Sequence, residues 1–178
     1  MSPFPALITP DETIITQTCP DNENNDASFY TTFATALRAQ YAKDNTKAYY
    51  LSVAPQCQRP EASIPLSVIR QADFVWVQFY NNLACNVGSP GFNDSFEAWS
   101  MDLAQTSTRP KLFLGVLAFA DGGSGYVQPA ELVSVLKDVK ALGGSNFGGV
   151  MLWDGTEAHR NIDPQGLDYV QVAKAALR

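Results

Sequence analysis

The sequence predicts an α/β fold in which a parallel β-sheet is covered by α-helices. Segments that are apolar almost throughout recur along the chain: AYYLSVA, DFVWVQFY, KLFLGVLAF and FGGVMLW. Each is followed by a stretch with helical spacing, and glycine, proline or polar residues punctuate the joins. Strands buried on both faces carry such unbroken apolar runs, which is the pattern of parallel sheets. An open doubly wound sheet and part of a barrel both satisfy it, and periodicity does not separate them.

Taken in order, Met1 to Pro10 is proline-rich and reads as an extended arm. Thr13 to Thr18, with its β-branched residues, reads as one more strand, stopped by Pro20. Residues 1–20 thus differ in character from 21–178. Ala27 to Lys43 is expected as a helix, with Phe29, Phe33, Ala36, Leu37 and Tyr41 near one face and Asp26 or Ser28 as its cap. Ala48 to Ala54 is a short strand ended by Pro55. Ile64 to Arg70 is a short helix, and Asp73 to Tyr80 is the strongest strand signal. Asp94 to Ala104 reads as a helix with Asp94 and Glu97 at capping-box spacing. Lys111 to Phe119 is a strand. Pro129 opens a helix that runs to about Leu142 and is stopped by Gly143-Gly144. Phe147 to Trp153 is a strand, and Gly166 to Leu177 a closing helix.

A chain of 178 residues suits one domain with a real core. Its 46% hydrophobic and 17% charged residues describe an ordinary globular protein. No apolar run approaches the roughly 20 residues of a membrane span. A net charge of -6 argues against nucleic acid, which requires clustered Lys and Arg, whereas a neutral polysaccharide would be indifferent to it. Met1 to Gln17 lacks the basic start and long apolar stretch of a secretion signal. Cys19, Cys57 and Cys85 permit one disulfide with one thiol left over.

Functional groups of parallel sheets gather beyond the C-terminal ends of the strands. Those ends carry Gln78, Tyr80 and Asn81 after one strand and Trp153-Asp154 after another. Aromatic rings stack on pyranose faces and amides hydrogen-bond sugar hydroxyls, so this rim suits a carbohydrate. The competing reading makes the aromatics core or barrel caps. Asp21-Asn22-Glu23 places two acids two residues apart. On a strand they would share a face, and one would raise the pKa of the other, as a general acid needs. Taken alone, such a triplet in an Asn-rich stretch reads as a solvated turn. Gly122 to Gly125 has no nearby Lys or Arg to cradle phosphate and reads as a loop needing positive φ angles. His159 has no partner at ligand spacing, so no metal site is inferred.

Four segments together resemble the class III chitinases of glycoside hydrolase family 18: YYLSVAPQCQRP, ADFVWVQFYNNLAC, KLFLGVLAFADGGSGYVQP and FGGVMLWDG. They stand in the family's order and spacing, and the resemblance covers about Asp21 to Arg178. It implies the C-terminal half of a (β/α)8 barrel, with the four strong strands as the fifth to eighth and Thr13 to Thr18 as a rewritten fourth. Glu23 would fall on the proton-donating glutamate and Asp21 on the aspartate before it, with Cys19 replacing an earlier aspartate of the motif. Tyr80 would position the substrate's N-acetyl group, with Gln78 and Asn81 beside it, and Trp153 would form the floor of the cleaved sugar's subsite. Cys57 and Cys85 would be bonded, closing a loop of about 29 residues for roughly 3.5 kcal/mol on the chain-entropy model. The implied reaction is retaining, substrate-assisted hydrolysis of β-1,4-linked N-acetylglucosamine, with no cofactor. The partner would be chitin or a chito-oligosaccharide and the setting extracellular, with neither nucleic acid nor membrane involved. A half-barrel is expected to leave two unpaired strand edges, through which a homodimer could form. A chitin binder without catalysis and an inactive remnant are the alternatives.

Overall fold

The computed structural model describes Ala6–Ile8, Gln17–Thr18, Asn22 and residues 26–178, with only the backbone for the first two segments. Cys19, Asp21 and Glu23 lie outside the described residues, as does the rest of the N-terminal arm. The elements in chain order are β1 (Ala6–Ile8), β2 (Gln17–Thr18), α1 (Tyr30–Tyr41), β3 (Tyr50–Val53), α2 (Leu66–Ile69), β4 (Phe74–Gln78), α3 (Phe92–Ala104), β5 (Lys111–Leu117), α4 (Pro129–Gly143), β6 (Phe147–Trp153), α5 (Gly155–Arg160) and α6 (Tyr169–Leu177).

The sheet order is β1-β6-β5-β4-β3-β2. From β2 to β6 every neighbouring pair is parallel, and neighbours in space are neighbours in sequence. A doubly wound sheet reverses direction at a switch point, whereas a barrel adds each strand beside the last. The strand order therefore settles what periodicity left open: this is part of a barrel.

Side chains alternate across the sheet and divide the apolar residues into two clusters. Leu51, Val53, Val75, Val77, Leu112, Leu114, Val116, Val150 and Leu152 join the helices in the main core, with Leu136 and Val139 of α4 and Tyr169 and Ala173 of α6. On the opposite face Ala54, Trp76, Tyr80, Phe113, Leu117 and Met151 form a second, smaller cluster that holds no helical residue. In a closed barrel this face is the interior. Gly115 lets β4, β5 and β6 approach there: a Cβ added to it would lie 2.5 Å from the Val77 carbonyl oxygen and 2.8 Å from the Met151 methyl.

A short strand adds to each side of the β3–β6 ladder, so among the described residues the sheet's outer edges are β1 and β2. β2 pairs with β3 through Gln17–Tyr50 and Thr18–Leu51. β1 pairs antiparallel with β6, from Ala6–Leu152 to Ile8–Val150. Very short strands are a common way to terminate a sheet.

Several helix details also differ from expectation. Of the residues of α1 only Ala34 is buried, and Phe29 and Phe33 are 86% and 48% exposed. The helix lies beside α2 at the end of the sheet, so Tyr30 and Leu37 rather than Phe33 meet the core. Asp26 accepts from the Ser28 N–H, and the N-cap position falls to Phe29, in a left-handed conformation without a side-chain cap. Asp94 and Glu97 form no capping box, because α3 starts earlier, after Gly91. A capping box does open α4, from Gln128 and Glu131, and another opens α6, from Asp168 and Gln171. The short α5 was not anticipated. Asp154 caps it by accepting from the Thr156 and Glu157 N–H groups at 2.8 and 3.1 Å.

The loop after β3 is pinned to α3. Ser95 Oγ donates to the Cys57 carbonyl at 2.7 Å, Arg59 stacks over the Trp99 ring at 4.6 Å and pairs with Asp102, and Cys57 is bonded to Cys85. Replacing both cysteines with serine is expected to lower unfolding free energy by about 2–4 kcal/mol in a denaturant titration. Gly115→Ala is expected to cost about 1–3 kcal/mol in the same measurement, because its new methyl meets not only the movable Met151 side chain but a backbone oxygen that cannot yield.

Candidate functional site

The C-terminal ends of β3 to β6 share one rim, and the inward face just below them is aromatic. Tyr80, two residues past β4, is 5% exposed and belongs to the inward cluster, against which the half-buried Trp153 at the end of β6 packs. Tyr80 and Trp153, singled out from sequence, are thus brought together on one patch. Trp76 and Phe113 lie below them in the same cluster. The Trp76 Nε1–H is buried and has no hydrogen-bond partner among the described residues.

Gln78 is buried at the end of β4, and its Nε2 donates to the Ala54 carbonyl at 2.9 Å, tying β4 to the end of β3. Asn81 is exposed, and its Oδ1 accepts from the Ser124 N–H at 2.9 Å. The Cys57–Cys85 bond implied by the resemblance is present, with Cα atoms 5.9 Å apart, and joins the loops after β3 and β4. At the end of β6 the Trp153–Asp154 peptide is cis, and the Trp153 carbonyl accepts from the Ala118 N–H at 2.8 Å.

Glu23 and Asp21 lie outside the described residues, but Asn22 between them does not. It is buried, and its Nδ2 donates to the Ser63 carbonyl in the loop after β3 and to the Asp26 carbonyl, both at 2.7 Å. That loop also carries Glu61. Burial pushes the Glu61 carboxyl above its ordinary value, against the pull of the Ile64, Ser63 and Gln56 N–H groups it accepts.

Two residues of the rim were not singled out from sequence. Tyr126, in the loop after β5, packs against the inward cluster as well as the main core. Asn161 holds it: its Nδ2 donates to the Tyr126 hydroxyl at 2.9 Å and to the Ala118 carbonyl at 2.8 Å. An aromatic directly after a glycine-rich rim loop was the available signal for Tyr126. Asn161 had none, because it reaches the rim from the far end of α5. His159 is exposed and pairs with Asp168 at 2.8 Å. A groove of about 630 Å³ lies elsewhere, between α4, α6 and the loop that follows α5, and is lined by Val133, Ile162, Leu167 and Ala176 among others.

No protein-family model matches the chain. Curated relatives do. The chain is 43% identical over 142 residues to Endochitinase 3 of Metarhizium robertsii, covering 79% of this chain and 44% of that protein. It is 39% identical over 163 residues to Chitinase 3 of Candida albicans, covering 89% of this chain and 28% of that protein. The chain therefore spans less than half the length of these relatives. Among solved structures, a chitinase from Ipomoea carnea matches with a TM-score of 0.66 at 30% identity, over 93% of this chain and 57% of that one. A xylanase and α-amylase inhibitor protein from Scadoxus multiflorus matches with a TM-score of 0.67 at 28% identity, over 86% and 53%. A family 18 chitinase from Pseudoalteromonas aurantia shares the fold, with a TM-score of 0.67 at 19% identity, over 90% and 61%. With strands wound in barrel order and chitinases among both its curated relatives and its structural neighbours, the chain is similar to the C-terminal part of the barrel of family 18 chitinases.

Proposed function

We propose that the rim binds chito-oligosaccharides and takes part in substrate-assisted hydrolysis of β-1,4-linked N-acetylglucosamine. The observation that carries this reading is the meeting of Tyr80 and Trp153 on one inward aromatic patch, in a chain 43% identical to an endochitinase. A pyranose stacks on the Trp153 indole, and Tyr80 donates to the substrate's acetamido group. Gln78 and Asn81 flank that position. Glu23 protonates the glycosidic oxygen as the C1–O bond breaks. The acetamido oxygen attacks C1 to give an oxazolinium ion, oriented and balanced in charge by Asp21. Water then opens that ring, losing its proton to Glu23, and the anomeric configuration is retained. The Cys57–Cys85 bond supports an oxidising, extracellular setting.

Binding without turnover is the second reading. It is favoured by the likeness to a xylanase and α-amylase inhibitor protein of the same fold. A fluorogenic chitotrioside separates the two. Hydrolysis by the full chain that falls by about 100-fold or more in Glu23→Gln supports catalysis. Retention on chitin without product, lost in Trp153→Ala, supports the binder. Neither hydrolysis nor retention overturns both.

A further inference from the structure

The asparagines that follow Tyr80 and the glycine-rich loop after β5 do a job that sugar binding alone leaves unexplained. Asn86, 5% exposed, lies between them. Its Oδ1 accepts from the Asn82 N–H at 2.7 Å, and its Nδ2 donates to Ser124 Oγ at 2.9 Å. Asn82 in turn donates from Nδ2 to the Tyr80 carbonyl at 3.2 Å, and its Oδ1 accepts from Gln58 Nε2 in the loop after β3. Ser124 is gripped a second time by Asn81: the Asn81 N–H donates to the Ser124 carbonyl at 2.9 Å, and Asn81 Oδ1 accepts from the Ser124 N–H at 2.9 Å. Three rim loops, after β3, β4 and β5, are therefore knitted around the peptide unit that follows Tyr80.

The backbone is shaped to allow this. Asn81 has a φ of 58°, in the left-handed region that asparagine tolerates better than most residues. Gly123 and Gly125, on either side of Ser124, have φ values of 134° and 93°. A Cβ on Gly123 would lie 2.0 Å from Asn81 Oδ1, and one on Gly125 would lie 3.0 Å from the Asn86 Cβ. Each glycine thus makes room for one of the asparagines that hold Ser124.

We infer that Asn86 is a positioning residue for Tyr80, acting through Asn82 and Ser124 to fix the loop from which the phenol projects. Its side chain is buried behind the rim rather than presented to it. Asn81 belongs to the same clamp, since its side-chain oxygen is committed to Ser124. The inference rests on Tyr80 belonging to the sugar site, but the clamp itself can be read without sugar.

The test uses the full chain as wild type, Asn86→Ala, Asn86→Asp and, as a milder cut, Ser124→Ala. Aspartate keeps an acceptor for the Asn82 N–H and can accept from the Ser124 hydroxyl, so it should rescue what alanine loses. Amide hydrogen exchange is measured without ligand. In Asn86→Ala the Asn81 and Asn82 amides should exchange about tenfold faster or more while those of β4 and β5 keep their rates, and Asn86→Asp should stay within about twofold of wild type. Ser124→Ala should accelerate the same amides to a smaller extent. Calorimetric titration with chitotriose should show binding weakened about fivefold or more by Asn86→Ala and restored by Asn86→Asp. A merely structural asparagine would lower melting temperature without this local, aspartate-rescued pattern. Unchanged loop exchange in both Asn86→Ala and Ser124→Ala overturns the clamp, and so does equal binding by wild type and Asn86→Ala. A wild type that binds no chitotriose counts against the sugar site alone, and the exchange rates then decide the clamp.

Discussion

The parallel ladder from β3 to β6 is the constraint on which the rest depends. Its registers, from Ser52–Phe74 at β3–β4 to Leu117–Trp153 at β5–β6, decide which side of the sheet each side chain faces. A slip of one residue would carry Val75 and Val77 to the inward face and Trp76 to the helices, and Tyr80 would leave the patch it shares with Trp153. Winding in sequence order also brings the C-terminal end of every strand to one rim. The helical core lies on one face and the aromatics of the proposed site on the other, and one ladder assigns residues to both.

Above the ladder the rim is held by cross-loop bonds rather than by its own secondary structure. The disulfide joins the loops after β3 and β4. The Asn82–Asn86–Ser124 chain extends the tie to the loop after β5, and Asn161 reaches back from the end of α5 to fix Tyr126. Buried amides are costly when unpaired and strongly directional when paired, so they set loop geometry with little apolar volume. The proposed sugar site, stacking one pyranose face and holding one acetamido group, would gain from such rigidity.

The strands were legible because each is apolar almost throughout between clear stops, and β4, β5 and β6 match the sequence reading within two residues at either end. The barrel arrangement was not legible from period alone, since strand order is a tertiary property. The face of α1 was misread because Phe29 and Phe33 look like core at helical spacing. The helix lies at the end of the sheet, and only a narrow stripe meets neighbours. Tyr80 and Trp153 could be placed on one rim from sequence because strand ends are marked there. The Asn86–Ser124 bond spans 38 residues and leaves no local trace, so the role of the GGSG segment emerged only once the loops were placed. Cys57 and Cys85 paired as the family resemblance implied.

The central claim is that Tyr80 and Trp153 line one sugar-binding rim while the third tryptophan outside it serves the core. The chain has three tryptophans, which makes the indole N–H region of a nitrogen-15 spectrum a direct report. Trp153 lies at the rim, Trp76 below it on the inward face, and Trp99 on the helical side, donating to the Cys57 carbonyl at 3.4 Å. Titration with chitotriose should shift the Trp153 indole resonance saturably and leave that of Trp99 in place. A saturable shift confined to Trp99, or no shift in Trp153 at millimolar sugar, would contradict the account.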